Sequence, residues 1–393
     1  MKHSNITRCA SLVLAIGFFI SCSSTKFSAD NLINEGNYQQ ALDEITIELS
    51  KNPSASLYYQ KGKVHGLMST EKIPSERTSD YSNMITAFDS ANVYSSVNES
   101  NILDKIDSLT TYYWNLEQKN GLSEYEEKTS QSLGAAIDHF SNAILIKPKN
   151  IESYKSLSIA LYNNDDIEGA ITTLEKAEFI ADGSDKEIFE NLGFLYLETG
   201  NPEKSISYYQ KANQDPLKNK NIAFGLVNAY ISQNRTSEAI LFLDKLINEY
   251  PNEAKLHNVY GTQLYNQAFD LFSNLKQSYS NGDSTSANNL RVEIEGISDM
   301  AENQLIKAYK QESTNIEFIE SLAVFYNNMS GNYFSIHEVA FMEHKEPIKD
   351  KALSLTDFAI TYYTQLADSN AQEEIYSNKI ENLNKLKDSW TNE

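Results

Sequence analysis

Two histidine–carboxylate pairs have the best spacing in this sequence for metal or acid–base chemistry. They are His337-Glu338 and Glu343-His344, so the two imidazoles are seven residues apart. On one helix, residues i and i+7 share a face and lie about 10 Å apart along the axis. One zinc ion does not span that separation, because its histidine nitrogens sit about 2 Å from the metal. The surrounding segment, 331–348, is rich in apolar side chains, and we interpret it as a packed apolar insertion.

The rest of the sequence contains no motif typical of catalysis or cofactor binding. It lacks a phosphate-binding loop, a glycine-rich dinucleotide fingerprint and a nucleophile elbow. The formal net charge is −21, so nucleic acid, whose phosphates would repel the chain, is not an expected partner. His257 falls at an apolar helix position and is expected to be packed and hydrogen bonded. We therefore predict no catalytic residue, no metal and no cofactor, and no enzyme activity.

The first 21 residues predict a targeting segment that is not part of the fold. A short basic start precedes an uncharged apolar run from Cys9 to Ile20. This run is too short to cross a bilayer as a helix, which takes about 20 residues. The segment ends in Ser21-Cys22, and Cys22 is the only cysteine that remains after removal of residues 1–21.

This ending resembles the lipobox of bacterial lipoproteins, in which a small residue precedes the cysteine that is lipidated and becomes N-terminal. The resemblance implies that Cys22 carries acyl chains and that residues 22–29 form a lipidated linker. Several acyl chains together anchor a protein stably, whereas one chain binds only marginally. The expected location is the bacterial cell envelope, at the outer membrane facing the periplasm. An ordinary secretory signal with an incidental cysteine is the alternative.

An internal period of 34–35 residues organises the middle of the chain. Its marker is a small residue followed by a large apolar one four positions later and, in several copies, by a proline about twelve positions after the first. Successive copies begin at Ala136, Ala170, Ser205 and Ala239. Apolar residues spaced three and four apart precede each copy and define one face of a helix. Because short polar turns separate the two helices, each period predicts a helical hairpin.

The period and its small residues resemble the tetratricopeptide repeat (TPR) family. The resemblance implies an all-α, TPR-like solenoid of helical hairpins in a right-handed superhelix, because one hairpin cannot bury its apolar face alone. A generic antiparallel bundle with coincidental spacing is the alternative. The predicted divisions after the linker are degenerate hairpins with insertions at 30–150, well-matched units at 151–251, extended helices at 252–330, the insertion at 331–348 and a C-terminal helical cap at 349–393.

The inner helices of TPR hairpins line a concave groove, and the family's geometry implies which positions face it in this chain. Asparagine amides in such a groove can pair with an extended peptide backbone, and tyrosines offer amphipathic contact area. The predicted peptide-binding residues are Lys155, Tyr162, Asn163, Glu190, Asn191, Phe194, Glu198, Asn228, Asn258, Thr262 and Tyr265.

The clamp that chaperone-binding TPRs use to hold an acidic C-terminal tail is only partly matched. Lys155 and Asn191 agree with it, whereas Ile159, Asn221 and Gly225 occupy its other three positions. An acidic tail is therefore a poor candidate ligand. The acidic charge of the chain instead favours a neutral or basic protein or peptide partner.

These features predict a membrane-anchored periplasmic scaffold or adaptor that binds protein or peptide segments in its groove. One alternative is a glycan- or nutrient-binding outer-membrane lipoprotein built on TPR-like helices. Its support is limited, because the insertions are short and only Trp114 and Trp390 could stack on sugars. A second alternative is an enzyme with a site in the 331–348 segment.

Overall fold

A computed structural model describes residues 29–95, 100–213, 215–369 and 373–391. Every regular element in these ranges is helical, which confirms the predicted all-α class. The predicted targeting segment (1–21), the predicted lipidation site Cys22 and all but the last residue of the 22–29 linker lie outside the described residues. The chain divides into two compact units between Ala160 and Leu161.

Consecutive helices of the first unit pair as hairpins. Its helices are α1 (Ala29–Asn34), α2 (Tyr38–Lys51), α3 (Ala55–Thr70), α4 (Thr78–Tyr94), α5 (Ser100–Glu127), α6 (Ser130–Ile146) and the first part of α7 (Ile151–Asn163). Helix α3 packs on α4, and α5 packs on α6. Met84, Phe88 and Tyr113 belong to a core cluster that joins α4 and α5.

The second unit contains the remaining helices. They are α8 (Ile167–Ile180), α9 (Lys186–Glu198), α10 (Pro202–Ala212), α11 (Lys220–Ser232), α12 (Thr236–Glu249), α13 (Ala254–Ser280), α14 (Ser284–Gln311), α15 (Ile316–His337), α16 (Met342–Asp368) and α17 (Glu373–Thr391). The hairpins α9/α10, α13/α14 and α15/α16 have extensive internal packing. One apolar cluster runs from Ala223 in α11 to Leu383 in α17.

Five turns between consecutive helices share one backbone conformation. A residue with positive φ lies two positions before the second helix begins, namely Gly36, Asp165, Gly200, Asn234 and Gly282. This left-handed conformation reverses the chain after the first helix, and glycine, asparagine and aspartate tolerate it best. The polar turns that the sequence predicts therefore have a common stereochemical cause.

The small residues that mark each repeat are fully buried. Their side chains are 0% exposed at Ala41, Ala136, Ala170, Ser205, Ala239, Ala301 and Ala359. Glycines on facing helices have the same role, since a Cβ on Gly62 would lie 2.4 Å from a ring carbon of Phe88. Small side chains thus let the two helices of a hairpin approach closely.

The helix end predicted near Gly121 is wrong. The sequence predicts a helix from Ile102 to Gln118 and then a polar stretch around Gly121, whereas α5 continues without interruption to Glu127. A Cβ on Gly121 would lie 2.6 Å from a ring carbon of Phe140 on α6. This glycine therefore makes room for a neighbouring helix and does not end its own.

The segment 331–348, predicted as an apolar insertion, covers the end of α15, a turn and the start of α16. Its first part completes α15, a short turn follows, and α16 begins at Met342, so the segment is the corner of one long hairpin. Phe334 and Ile336 are buried as expected, but Met342 is 79% exposed. Beyond this corner, the region predicted as the C-terminal cap contains most of α16 and the helix α17 that packs on it.

Candidate functional site

A pocket on the second unit lies between α9 and α11, above α10. Its volume is about 370 Å³, within the range of ligand sites in proteins. We call it the α9–α11 pocket. It is lined by Glu190, Asn191, Phe194, Leu197, Glu198, Tyr209, Asn221, Phe224, Gly225 and Asn228.

Tyr209 on α10 forms the floor of this pocket. Its ring lies between two glycines, because a Cβ on Gly193 would be 2.8 Å from its Cδ1 atom and a Cβ on Gly225 would be 2.3 Å from its Cζ atom. The side chain is 3% exposed, and burial, with smaller contributions from the charges of Glu190 and Glu198, raises the pKa of its hydroxyl. Tyr209 therefore stays neutral and presents a hydroxyl group at the base of the pocket.

Acidic, amide and aromatic groups form the walls. Asn219 donates a hydrogen bond from Nδ2 to Oε2 of Glu190, at 3.0 Å, while Glu198 is exposed at the end of α9. Phe194 is 39% exposed, and its ring meets that of Tyr162 edge-on at a centroid distance of 5.3 Å. The pocket thus combines negative charge with exposed aromatic surface.

Five of the sequence-predicted groove residues come together here: Glu190, Asn191, Phe194, Glu198 and Asn228. Tyr162 contacts this set through Phe194, and Asn163 is exposed at the C-terminal end of α7. Lys155 belongs to the first unit, where it is 8% exposed and forms an ion pair with Glu152 at 2.8 Å.

The remaining three predicted residues do not line this pocket, and they have partners elsewhere in the second unit. Asn258 is 5% exposed and its Nδ2 lies 3.5 Å from Glu317, while the hydroxyl of Thr262 donates to the backbone carbonyl of Asn258. The hydroxyl of Tyr265 accepts a hydrogen bond from Asn328 at 2.8 Å. The contacts of Asn258 and Tyr265 arise because α13 packs against α15, whereas the Thr262 hydrogen bond lies within α13.

Sequence reasoning did not assign Tyr209 and Phe224 to the pocket. Tyr209 occupies the large apolar position of its repeat, so it was expected to fill a core groove. A signal was present in the two glycines at the middle of α9 and α11, because Gly193 and Gly225 both leave room for one ring. Glycines on two helices that flank the same residue therefore mark where an aromatic ring can be inserted.

The histidines of the 331–348 segment do not share a helical face. His337 ends α15 and packs against the ring of Trp390, whereas His344 lies in α16, where its Nδ1 is 3.1 Å from the hydroxyl of Tyr279. Among the residues that the structure describes, no three metal-ligating side chains gather as a metal site. His257 is 3% exposed, and its two ring nitrogens contact Gln304 and the carbonyl of Pro251, which confirms a packed, hydrogen-bonded role.

A buried charge cluster in the first unit was not predicted from the sequence. The carboxylate of Glu117 is 0% exposed and accepts hydrogen bonds from Arg77 at 2.8 Å, from the hydroxyl of Tyr81 at 2.6 Å and from Nδ1 of His139 at 2.6 Å. Burial alone would raise the pKa of Glu117, but the three hydrogen bonds hold it below its ordinary value. Since Glu117 has all these partners, we assign the cluster a structural role.

Both tryptophans are engaged in packing. Nε1 of Trp114 donates to the hydroxyl of Ser153 at 2.9 Å, and Trp390 packs against Phe334 and His337. Neither indole is exposed. No observation in the described residues therefore favours the glycan-binding alternative.

Comparison with known proteins identifies the repeat. Residues 196–261, from the end of α9 to the first part of α13, match the model of the tetratricopeptide repeat family. This segment therefore has the sequence pattern of a tetratricopeptide repeat, and the predicted all-α fold of TPR-like helical hairpins is confirmed. No curated protein matches the chain.

Several solved structures are similar over part of the chain. YrrB, a TPR protein with an unusual peptide-binding site, is 16% identical over 57% of this chain and 91% of its own, with a TM-score of 0.39. The MamA protein is 17% identical over 51% of this chain and 92% of its own, with a TM-score of 0.40. PilF of Pseudomonas aeruginosa is 13% identical over 68% of this chain and 97% of its own, with a TM-score of 0.43. At these low TM-scores, the similarities bear on neither ligand nor activity.

Proposed function

We propose that this protein is a lipid-anchored scaffold of the bacterial cell envelope, whose second unit binds a peptide segment of another protein in the α9–α11 pocket. One observation carries the proposal. The five predicted residues Glu190, Asn191, Phe194, Glu198 and Asn228 surround one concave site that combines exposed aromatic surface with hydrogen-bonding amides. Such surfaces suit an extended peptide, because amides pair with its backbone and rings cover its apolar groups.

Site-specific photocrosslinking tests the binding face. Benzoylphenylalanine placed at Phe194 should form a discrete crosslink to a partner in intact cells. The matched control is Phe179, which is 88% exposed on α8 and does not line the pocket. Crosslinks of equal yield from both positions, or none from Phe194, would contradict binding in the pocket.

The predicted anchor at Cys22 supplies the location in this proposal. No described helix is both long and apolar enough to cross a bilayer. In this proposal, acyl chains on the cysteine attach the protein to the membrane. Wild-type protein should incorporate radiolabelled palmitate and sediment with outer membranes, whereas Cys22→Ala should do neither. A wild-type protein that takes no label and remains in the soluble fraction would refute the anchor without affecting the pocket.

A further inference from the structure

The acids of the α9–α11 pocket lack cationic partners. Within the part of the chain that the structure describes, neither Glu190 nor Glu198 forms an ion pair. The single hydrogen bond from Asn219 occupies Oε2 of Glu190 and leaves Oε1 without a donor. The lysines that precede and begin α11 pair elsewhere, Lys218 with Glu249 at 2.7 Å and Lys220 with Glu253 at 2.5 Å. Two uncompensated carboxylates therefore border the pocket.

The Tyr209 hydroxyl at the base of the pocket also has no hydrogen-bond partner among the described residues. Tyr209 is 3% exposed, and its hydroxyl makes no hydrogen bond with any other described residue. A Cβ on the pocket residue Gly225 would lie 2.4 Å from this oxygen. The hydroxyl therefore occupies the space that a side chain on Gly225 would fill. Glu190 and Glu198 are both close enough to raise the pKa of this phenol, although burial raises it more. The hydroxyl oxygen is therefore available to accept a hydrogen bond from a ligand in the pocket.

Aromatic rings complete the pocket. Phe194 on α9 and Phe224 on α11 both line it, and Phe194 is 39% exposed. Such a face attracts a cation, and the attraction is stronger when the cation is desolvated. The nearby ammonium of Lys220 lies 5.9 Å from the Phe224 ring and is already paired with Glu253. The ring of Phe194 has no such cation among the described residues.

We propose that the α9–α11 pocket selects a cationic side chain, lysine or arginine, from the bound peptide. The carboxylates of Glu190 and Glu198 attract the ammonium or guanidinium, which donates a hydrogen bond to the hydroxyl oxygen of Tyr209, while Phe194 packs on its aliphatic stem. A neutral side chain of the same length would keep the apolar contact but would desolvate the carboxylates without compensation. This inference rests on the proposed function and adds the chemical class of the residue that the site recognises.

Binding of defined peptide pools tests the selectivity. The probes are fluorescein-labelled nonapeptide pools that are degenerate except at the central position, which is lysine, arginine, norleucine or glutamate. Fluorescence anisotropy of the full mature chain should show the lysine and arginine pools binding about tenfold tighter than the norleucine pool, with the glutamate pool weakest. Added salt should narrow the difference, because exposed charges are screened.

Variants assign the preference to particular groups. The double variant Glu190→Gln/Glu198→Gln should abolish the preference for lysine over norleucine, and Tyr209→Phe should weaken only the lysine and arginine pools. The control Glu203→Gln removes the same charge from an exposed position on α10 and should leave all pools unchanged. Equal binding of the four pools would overturn the selectivity but not groove binding. Failure of every pool to bind, together with no crosslink from Phe194, would overturn both proposals.

Discussion

Replacing Tyr81 with phenylalanine removes one donor from the buried carboxylate of Glu117 and leaves the ring in place. The lost bond is 2.6 Å long, and its acceptor is 0% exposed. Hydrogen bonds to charged groups contribute about 1.5–3 kcal/mol, and water cannot replace the missing donor at a buried site. We therefore expect Tyr81→Phe to lower the free energy of unfolding of the first unit by about 1.5–3 kcal/mol.

Tyr113 supplies a matched control in the same core. Its ring is 2% exposed and contacts the ring of Tyr81 at 5.9 Å, but its hydroxyl makes no hydrogen bond within the described residues. Tyr113→Phe removes the same atom without removing a bond to a charge. Its expected effect is below about 0.5 kcal/mol, the ordinary range for a substitution that breaks no specific interaction.

Urea unfolding followed by the fluorescence of Trp114 measures both variants. Trp114 lies on α5 in the first unit, and a Trp390→Phe background makes it the only tryptophan. Equal losses of stability in Tyr81→Phe and Tyr113→Phe would refute the role given to the Glu117 hydrogen bonds. Because the pKa of Glu117 is lowered by folding, its contribution is present above the unfolded value of about 4.3 and is lost at lower pH. The difference between the two variants should accordingly shrink in acid.

Three further predictions concern glycines and tyrosines. Gly200→Ala should lower the free energy of unfolding of the second unit by about 1–2 kcal/mol, because φ is +71° at this position. Gly296→Ala, at an open position within α14, should instead raise it by about 0.5–1 kcal/mol. Urea unfolding followed by circular dichroism measures both changes in stability. Gly225→Ala should lower the free energy of unfolding by about 1–3 kcal/mol and weaken crosslinking from Phe194, because the new Cβ would collide with the ring of Tyr209. Unchanged stability and crosslinking would contradict the insertion of that ring between the two helices. Burial raises the pKa of phenols such as Tyr326, so their contribution to the stability of the folded state is full below about pH 10 and is lost as the pH rises above it. In an alkaline titration, the absorbance of the phenolate should therefore rise together with unfolding and not before it.

The resemblance to the TPR family implied which residues of each inner helix face the groove. The structure brings four of these residues, Glu190, Asn191, Phe194 and Glu198, to the same pocket, as expected for residues on one face of α9. Asn258, which the same resemblance assigns to the groove, lies on α13 and does not line this pocket. There the long hairpin α13/α14 and helix α15 change what this residue contacts.

The sequence by itself determined the repeat period, the helical class, the small residues at close helix contacts and the turns, because each depends on residues close together in the chain. Only the tertiary structure decided that Tyr209 is inserted between Gly193 and Gly225, and that the helix ends at His337 and separates it from His344. The burial of Glu117 belongs to the same class, since its donors come from other helices and turns. The physical reason is that periodicity specifies which face of a helix is buried, whereas the length and register of neighbouring helices specify which side chains meet there.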